Sequence, residues 1–276
     1  MSEYIIKSKS SLFKFNLKEI WQYRDLIKIF VKRDIVSANK QTLLGPLWFL
    51  LAPLFTVFIY VFVFNNIAGI STDGVPAILF YLAGTTLWNY FQSCFLATSS
   101  TFLSNASLFG KVYFPRMVSP ISIVISSLLK FFIQFFLFLI VWSYYVWTGA
   151  VSPNATVLFL PLYVLLLAGI SLGIGVIISS LTTKYRDLSY FISFGVTLWM
   201  YVTPVIYPVS AIPEQFKFLI SYNPISPVIE AFRYSFTGNG SFVLSDLLYS
   251  FAVMIIVLFI GLLLFNKTEK TFMDTV

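Results

Sequence analysis

Apolar residues in this chain gather in long charge-free runs, and charged residues are confined to short segments between them. A bilayer core about 30 Å thick takes roughly 20 apolar helical residues to cross. Runs of that length predict crossings at Leu47–Asn66, Ala77–Thr101, Val118–Val146, Val157–Leu181, Leu188–Ile206 and Leu247–Phe265. The turn signal Thr148-Gly149-Ala150-Val151-Ser152-Pro153-Asn154 divides the longest run into the third and fourth of these. The third is longer than a crossing needs, so it tilts or extends beyond the lipid. Six crossings place both termini on one side of the membrane.

Two segments outside the runs carry patterns of their own. Over Asn16–Ile35, Leu17, Ile20, Trp21, Ile27, Phe30 and Val31 recur at helical spacing among Lys18, Arg24, Asp25, Lys28, Lys32, Arg33 and Asp34. That is an amphipathic helix lying along an interface, either touching a partner or serving as a passive anchor. The segment Pro204–Gly240 holds five prolines and two apolar runs too short to span, Phe216–Ile220 and Val228–Tyr234. Two short helices dipping partly into one leaflet fit it, and proline at their starts is favourable.

Composition agrees with a membrane protein. Of 276 residues, 58% are hydrophobic and 11% charged, against about 25% charged in soluble domains. A cytosolic enzyme, a disordered chain and a disulfide-stapled secreted domain are excluded. The chain lacks histidine and has one cysteine, Cys94, so neither a histidine base nor a metal site is expected. The net charge of +7 reads as topology and not as nucleic-acid binding. Lys and Arg concentrate in the segment to Lys40, in the loops around Lys111–Arg116 and Lys184–Arg186, and in the tail at Lys267 and Lys270. Lysine and arginine favour the cytoplasmic side, so both termini are expected there. Lys7 and Lys9 lead into a mixed charged segment, so no cleavable signal peptide is expected. The chain divides into a cytoplasmic segment, 1–40, and a six-helix transmembrane domain, 41–276, with an external gate region at 204–240.

Candidate chemistry is sparse. Lys130 lies within the third span, where an ammonium costs roughly 2.5–3.5 kcal/mol. It faces a water path or a polar partner, or it snorkels to the interface. Aromatic rows recur at helical spacing, with Phe55, Phe58 and Phe62 in the first span and Trp88, Phe91 and Phe95 in the second. Sugar rings stack on such faces, although lipid contact and helix packing use the same residues. Gly169, Gly173, Gly175 and Ser179 form a small-residue strip for close helix approach. Phe109, Tyr113 and Phe114 in the loop Ser104–Arg116 are costly to leave in water; they either dock on a partner or sit among headgroups. There is no phosphate loop and no acidic residue within a span, so any energy source belongs to another chain.

Taken in order, several motifs resemble the permease subunit of polysaccharide-exporting ABC transporters of the O-antigen export (Wzm-like) type. They are Leu44-Gly45-Pro46-Leu47-Trp48; Asp73-Gly74-Val75-Pro76 with Leu82-Ala83-Gly84 and Trp88; Lys111-Val112-Tyr113-Phe114-Pro115-Arg116; Tyr185-Arg186-Asp187; Thr203-Pro204-Val205-Ile206-Tyr207-Pro208; and Asn223-Pro224 with Ile229-Glu230-Ala231-Phe232-Arg233. The resemblance implies a homodimer in a bacterial inner membrane, bound to two copies of a separate ATPase subunit that holds ATP and Mg. It implies that a lipid-linked polysaccharide on undecaprenyl pyrophosphate passes through a channel at the dimer interface. Phe109, Gly110, Lys111, Tyr113, Phe114, Pro115 and Arg116, with Lys184, Tyr185, Arg186 and Asp187, would be the coupling elements. Pro208, Phe216, Phe218, Glu230, Phe232 and Arg233 would belong to the external gate, and the aromatic rows with Lys130 to the substrate path. Capsule and teichoic-acid exporters share the pattern. The reading from a different class is a passive channel or structural membrane protein.

Overall fold

The computed structural model describes residues 17–40, 44–185 and 187–275. Arg186, Lys7, Lys9 and Asn16 therefore lie outside the described residues. The described residues form helices and connecting turns: α1 (Leu17–Gln22), α2 (Arg24–Asn39), α3 (Trp48–Tyr60, continuing with wider π-type turns over Val61–Ile67), α4 (Ala77–Ser99), α5 (Thr101–Ser104), α6 (Ala106–Phe109), α7 (Val118–Trp147), α8 (Leu160–Thr182), α9 (Leu188–Val202), α10 (Lys217–Ser221), α11 (Ser226–Thr237) and α12 (Leu244–Thr275). Among the described residues, four segments are long and apolar enough to cross a membrane: Trp48–Ile67, Val118–Trp147, Ala155–Thr182 and Leu244–Glu269. The other two predicted crossings are α4 and α9, and each departs from that standard for its own reason.

α4 is long enough, at 23 residues, but carries Thr85, Thr86, Asn89, Gln92 and Ser93. It is nonetheless the centre of the bundle, buried along most of its length and packed by α3, α7, α8, α9 and α11. Two of its central hydroxyls are satisfied within the helix: Thr85 donates to the Tyr81 carbonyl and Thr86 to the Leu82 carbonyl, each at 2.7 Å. A buried hydroxyl bonded in this way avoids most of the cost of an unpaired polar group.

α9 is only 15 residues long. It was expected to run to Ile206 and stops at Val202. Thr203 turns to extended backbone, φ −101° and ψ 140°, because Pro204 follows it and disfavours the helical region there. The predicted amphipathic helix is divided at Tyr23, whose N–H is shared between the Glu19 and Ile20 carbonyls at 3.3 and 3.0 Å. α12 begins at Leu244 and continues ten residues past the expected end, to Thr275.

The helices pack in the order α12, α8, α4, α7, α2, with α3 beside α4 and α7. Glycine permits the closest approach. A Cβ on Gly173 of α8 would lie 2.8 Å from the Leu258 backbone nitrogen of α12, so the two backbones meet there without side chains between them. α11 closes one end of the bundle, touching α4, α8 and α12. The α7–α8 turn is stitched to it, with Asn154 N–H donating to the Ser235 carbonyl at 2.9 Å. At the opposite end, residues of α2, the α6–α7 loop, α8 and α12 share a second apolar cluster.

Candidate functional site

At the α2 end, five phenylalanines form a continuous chain. Phe30 of α2 meets Phe114 edge-on at 5.6 Å; Phe114 meets Phe109 at 5.7 Å; Phe109 meets Phe102 at 6.0 Å; and Phe102 stacks on Phe265 of α12 at 4.5 Å. The α6–α7 loop is thereby wedged between α2 and α12. Asn105 fixes its start, donating to the Thr101 carbonyl at 3.0 Å and the Ser119 hydroxyl at 3.1 Å. Arg116 fixes its end. The guanidinium lies over the Phe109 ring at 5.5 Å and donates to the Glu269 carbonyl at 2.6 Å. Burial holds Arg116 below its ordinary pKa, and the Glu269 carboxylate opposes that shift.

The loop was expected to present Phe109, Tyr113 and Phe114 together. The structure separates them. Phe109 and Phe114 are 5% and 4% exposed and face inward, whereas Tyr113 is 87% exposed beside exposed Gly110, Lys111 and Val112. Pro115 is half-buried. The loop therefore has a rigid aromatic root and a narrow tip of Val112 and Tyr113. Lys184, Tyr185 and Asp187 are exposed at the same end of the bundle. Their segment is tied to the α4–α5 junction by Thr182 donating to the Ser99 carbonyl at 3.3 Å.

The predicted aromatic path divides similarly. Phe55, Phe58 and Phe62 are exposed along α3. Trp88, Phe91 and Phe95 are buried, with Phe91 edge-on to Trp199 at 5.2 Å, and offer no face to a passage within this chain. Helical spacing marks a repeating face, but which face is covered depends on the neighbouring helix. α9 adds an exposed aromatic stripe that the sequence reading left out: Tyr190, Phe191, Phe194 and Tyr201. Their three- and four-residue spacing was the available signal. α3 and α9 meet where the Tyr60 hydroxyl lies 3.7 Å from Met200 Sδ, so the two stripes belong to neighbouring helices. Lys130 is half-buried, its ammonium 5.7 Å from the Phe49 ring. Phe49 is in the first turn of α3, so Lys130 is level with that helix's start and not with its middle.

At the α11 end, Arg233 is enclosed. Its Nη1 donates to Glu230 at 2.8 Å, its Nη2 to the Val205 carbonyl at 2.6 Å, and its guanidinium lies 3.8 Å from the centre of the Phe80 ring. Phe232 is fully buried and Pro208 is buried, whereas Phe216 and Phe218 are exposed. Asn223 accepts from Trp199 Nε1 at 3.3 Å and donates to the Thr203 hydroxyl at 2.8 Å. The segment after α9 is thus held from both sides, by Asn223 before α11 and by Arg233 within it. Ser210 donates to the Asp73 carboxylate at 2.7 Å, joining this segment to the α3–α4 turn. The predicted gate residues Glu230 and Arg233 accordingly form an internal clasp, and of the predicted gate residues Phe216 and Phe218 are the exposed ones. Among the described residues there is no cluster of three or more metal-ligating side chains.

Comparison with known proteins agrees with this architecture. The chain is 30% identical to the O-antigen export system permease protein RfbA of Klebsiella pneumoniae, over 95% of this chain and 97% of that protein. It is 26% identical to the protein of the same name from Myxococcus xanthus, over 94% and 98%. It is 24% identical to the polysialic acid transport protein KpsM of Escherichia coli, over 88% and 93%. Residues 25–237 match the family described as ABC-2 type transporter, a stretch running from α2 to the end of α11 and including the α6–α7 loop and the Arg233 clasp, and the chain belongs to that family.

Proposed function

We infer that this chain is the membrane-spanning permease subunit of an ATP-driven polysaccharide exporter, with a cargo of the O-antigen type carried on undecaprenyl pyrophosphate. The likeness to O-antigen export permeases over nearly the full length of both chains carries this reading. Two copies of the permease form the working unit, each engaging one copy of a cytoplasmic ATPase that holds ATP and Mg. All six crossings are used, with α4 shielded by its neighbours and α9 short but apolar, and both termini lie in the cytoplasm of a bacterial cell with the protein in its inner membrane.

The geometry suits that division of labour. A loop that transmits force needs a rigid root and a small docking surface. The Phe30–Phe114–Phe109–Phe102–Phe265 chain supplies the root, and Val112 with Tyr113 the surface. Motion delivered at Tyr113 reaches α2 and α12 through packed rings, which resist compression. The exposed aromatic stripes of α3 and α9 suit a face shared by two permeases around a passage. Aromatic faces tolerate many sugars, as an exporter of a long polymer requires. A capsular polymer is the second reading, supported by the likeness to KpsM. A passive channel would leave the rigid loop without a role.

Depletion of the chain in its own host tests the reading. Lipid-linked polymer is expected to accumulate on the cytoplasmic side and to vanish from the cell surface. Undiminished surface polymer would exclude the exporter role.

A further inference from the structure

A groove of about 350 Å³ runs between α2 and α7, walled by Ile27, Val31, Ile35 and Val36 on one side and Ile125 on the other. Lys28 and Lys32 contribute their aliphatic stems to the same wall, leaving their ammonium groups at the rim. Beyond Ile125 the exposed face of α7 continues through Leu129, Phe132, Phe136 and Ile140. That spacing is one stripe of a helix, so the α7 wall of the groove continues into a surface suited to lipid tails. Lys28 and Lys32, one turn apart on α2, stand among the apolar residues of the opposite wall. Lys28 is paired with Asp25 at 2.8 Å, but both side chains are more than two-thirds exposed, and such a pair is weak enough for a phosphate to displace.

We propose that this groove seats one acyl chain of an anionic glycerophospholipid, whose phosphate is held by Lys28 and Lys32. The lipid is a structural ligand and not the transported cargo. It fills the apolar space left between α2 and α7 and so fixes the interface helix that carries Phe30, the first ring of the aromatic chain. An apolar tail accounts for the walls and an anionic headgroup for the two lysines, and one molecule supplies both. A zwitterionic lipid supplies the tail but gains less from the lysines, since each basic residue near an anionic surface strengthens binding about fivefold. The inference rests on the placement of α2 at the cytoplasmic membrane surface, and its test requires no export, so the two can fail separately.

The test uses the full-length protein in phosphatidylcholine vesicles containing a trace of phosphatidylglycerol with a photoreactive diazirine near the end of one acyl chain. After illumination, adducts are mapped by mass spectrometry. They are expected to concentrate on the peptides holding residues 27–36 and Ile125. Unlabelled phosphatidylglycerol should compete at least fivefold better than phosphatidylcholine. Lys28→Gln with Lys32→Gln should reduce that preference at least fivefold, whereas Lys28→Arg with Lys32→Arg should keep it. Ile35→Trp should fill the groove and abolish the local adducts. Labelling spread evenly over α3 and α7 would overturn the proposal, as would the absence of headgroup preference. So would stronger competition by undecaprenyl phosphate than by phosphatidylglycerol, which would make the groove an entry point for cargo. A photoreactive residue replacing Val31 supplies an independent arm: capture of lipid supports the proposal, and capture of residues 1–16 or of a second copy overturns it.

Discussion

Arg233 Nη2 donates to the carbonyl of Val205 across 2.6 Å, and Gly84 leaves the space in which they meet. A Cβ on Gly84 would lie 2.7 Å from both that nitrogen and that oxygen. One side chain of α11 thereby ties the segment after α9 to the middle of the bundle, and the absence of one on α4 allows it. The pair has little freedom, since Arg233 also covers Phe80 and reaches Glu230.

Gly84→Ala is expected to destabilise the protein by about 1–3 kcal/mol, the usual cost of overpacking, because one of the atoms it meets is backbone. Gly195→Ala is the control. A Cβ there meets nothing within 4 Å, and replacing glycine in a helix gains up to about 1 kcal/mol. Thermal unfolding in detergent distinguishes them: a loss for Gly84→Ala and no loss for Gly195→Ala.

Arg233→Met leaves Glu230 buried without its partner and is expected to cost about 3–5 kcal/mol. Changing both residues to methionine should recover most of that stability, because no isolated charge remains. Recovered stability without recovered surface polymer would place the clasp in the export step itself. If the double variant is no more stable than Arg233→Met, the stranded carboxylate is not the cause of the loss.

Phe114→Ala and Tyr113→Ala should separate stability from coupling. Phe114 is buried between Phe30 and Phe109, and its truncation is expected to cost about 3–5 kcal/mol. Tyr113 stands in solvent, so its truncation should leave unfolding within about 0.5 kcal/mol of the parent while lowering permease-dependent ATP hydrolysis severalfold. Equal unfolding midpoints for the two variants would contradict the division between root and tip.

Lys130→Met should leave export within about twofold and stability little changed, since an ammonium at the level of the α3 start snorkels and avoids most of the mid-bilayer insertion cost. The expectation follows from Phe49, which places Lys130 beside the first turn of α3. Export lost at unchanged protein level would put Lys130 on the substrate path.

Much of the fold is legible in the hydrophobic pattern. The start of α4 at Ala77, of α7 at Val118 and of α9 at Leu188 coincide with expectation, because proline, charge and turn residues mark them. The short α10 overlaps the first of the two apolar runs read as partial helices, and α11 contains the second and extends past it at both ends. Depth and direction are less legible. Counting along α7 alone set Lys130 in mid-span, whereas its level is fixed by α3. The loop aromatics looked alike because Phe114 and Tyr113 are adjacent and similar in bulk. Phe30, far away in sequence, and Phe109 together determine which of them is covered. Glu230 and Arg233 read as exposed gate charges because the Val205 carbonyl and the Phe80 ring that enclose the arginine come from other segments.

The most direct test of the exporter reading is reconstitution. The full-length permease and the proposed ATPase subunit are placed in proteoliposomes holding a radiolabelled undecaprenyl-pyrophosphate-linked polysaccharide in the outer leaflet. Transfer of the polymer to the interior is then measured with and without ATP. Transfer is expected only when both proteins, Mg and ATP are present, from complexes whose ATPase faces outward, and Tyr113→Ala should slow it severalfold. Transfer by the permease alone, or at the same rate without ATP, would contradict the account.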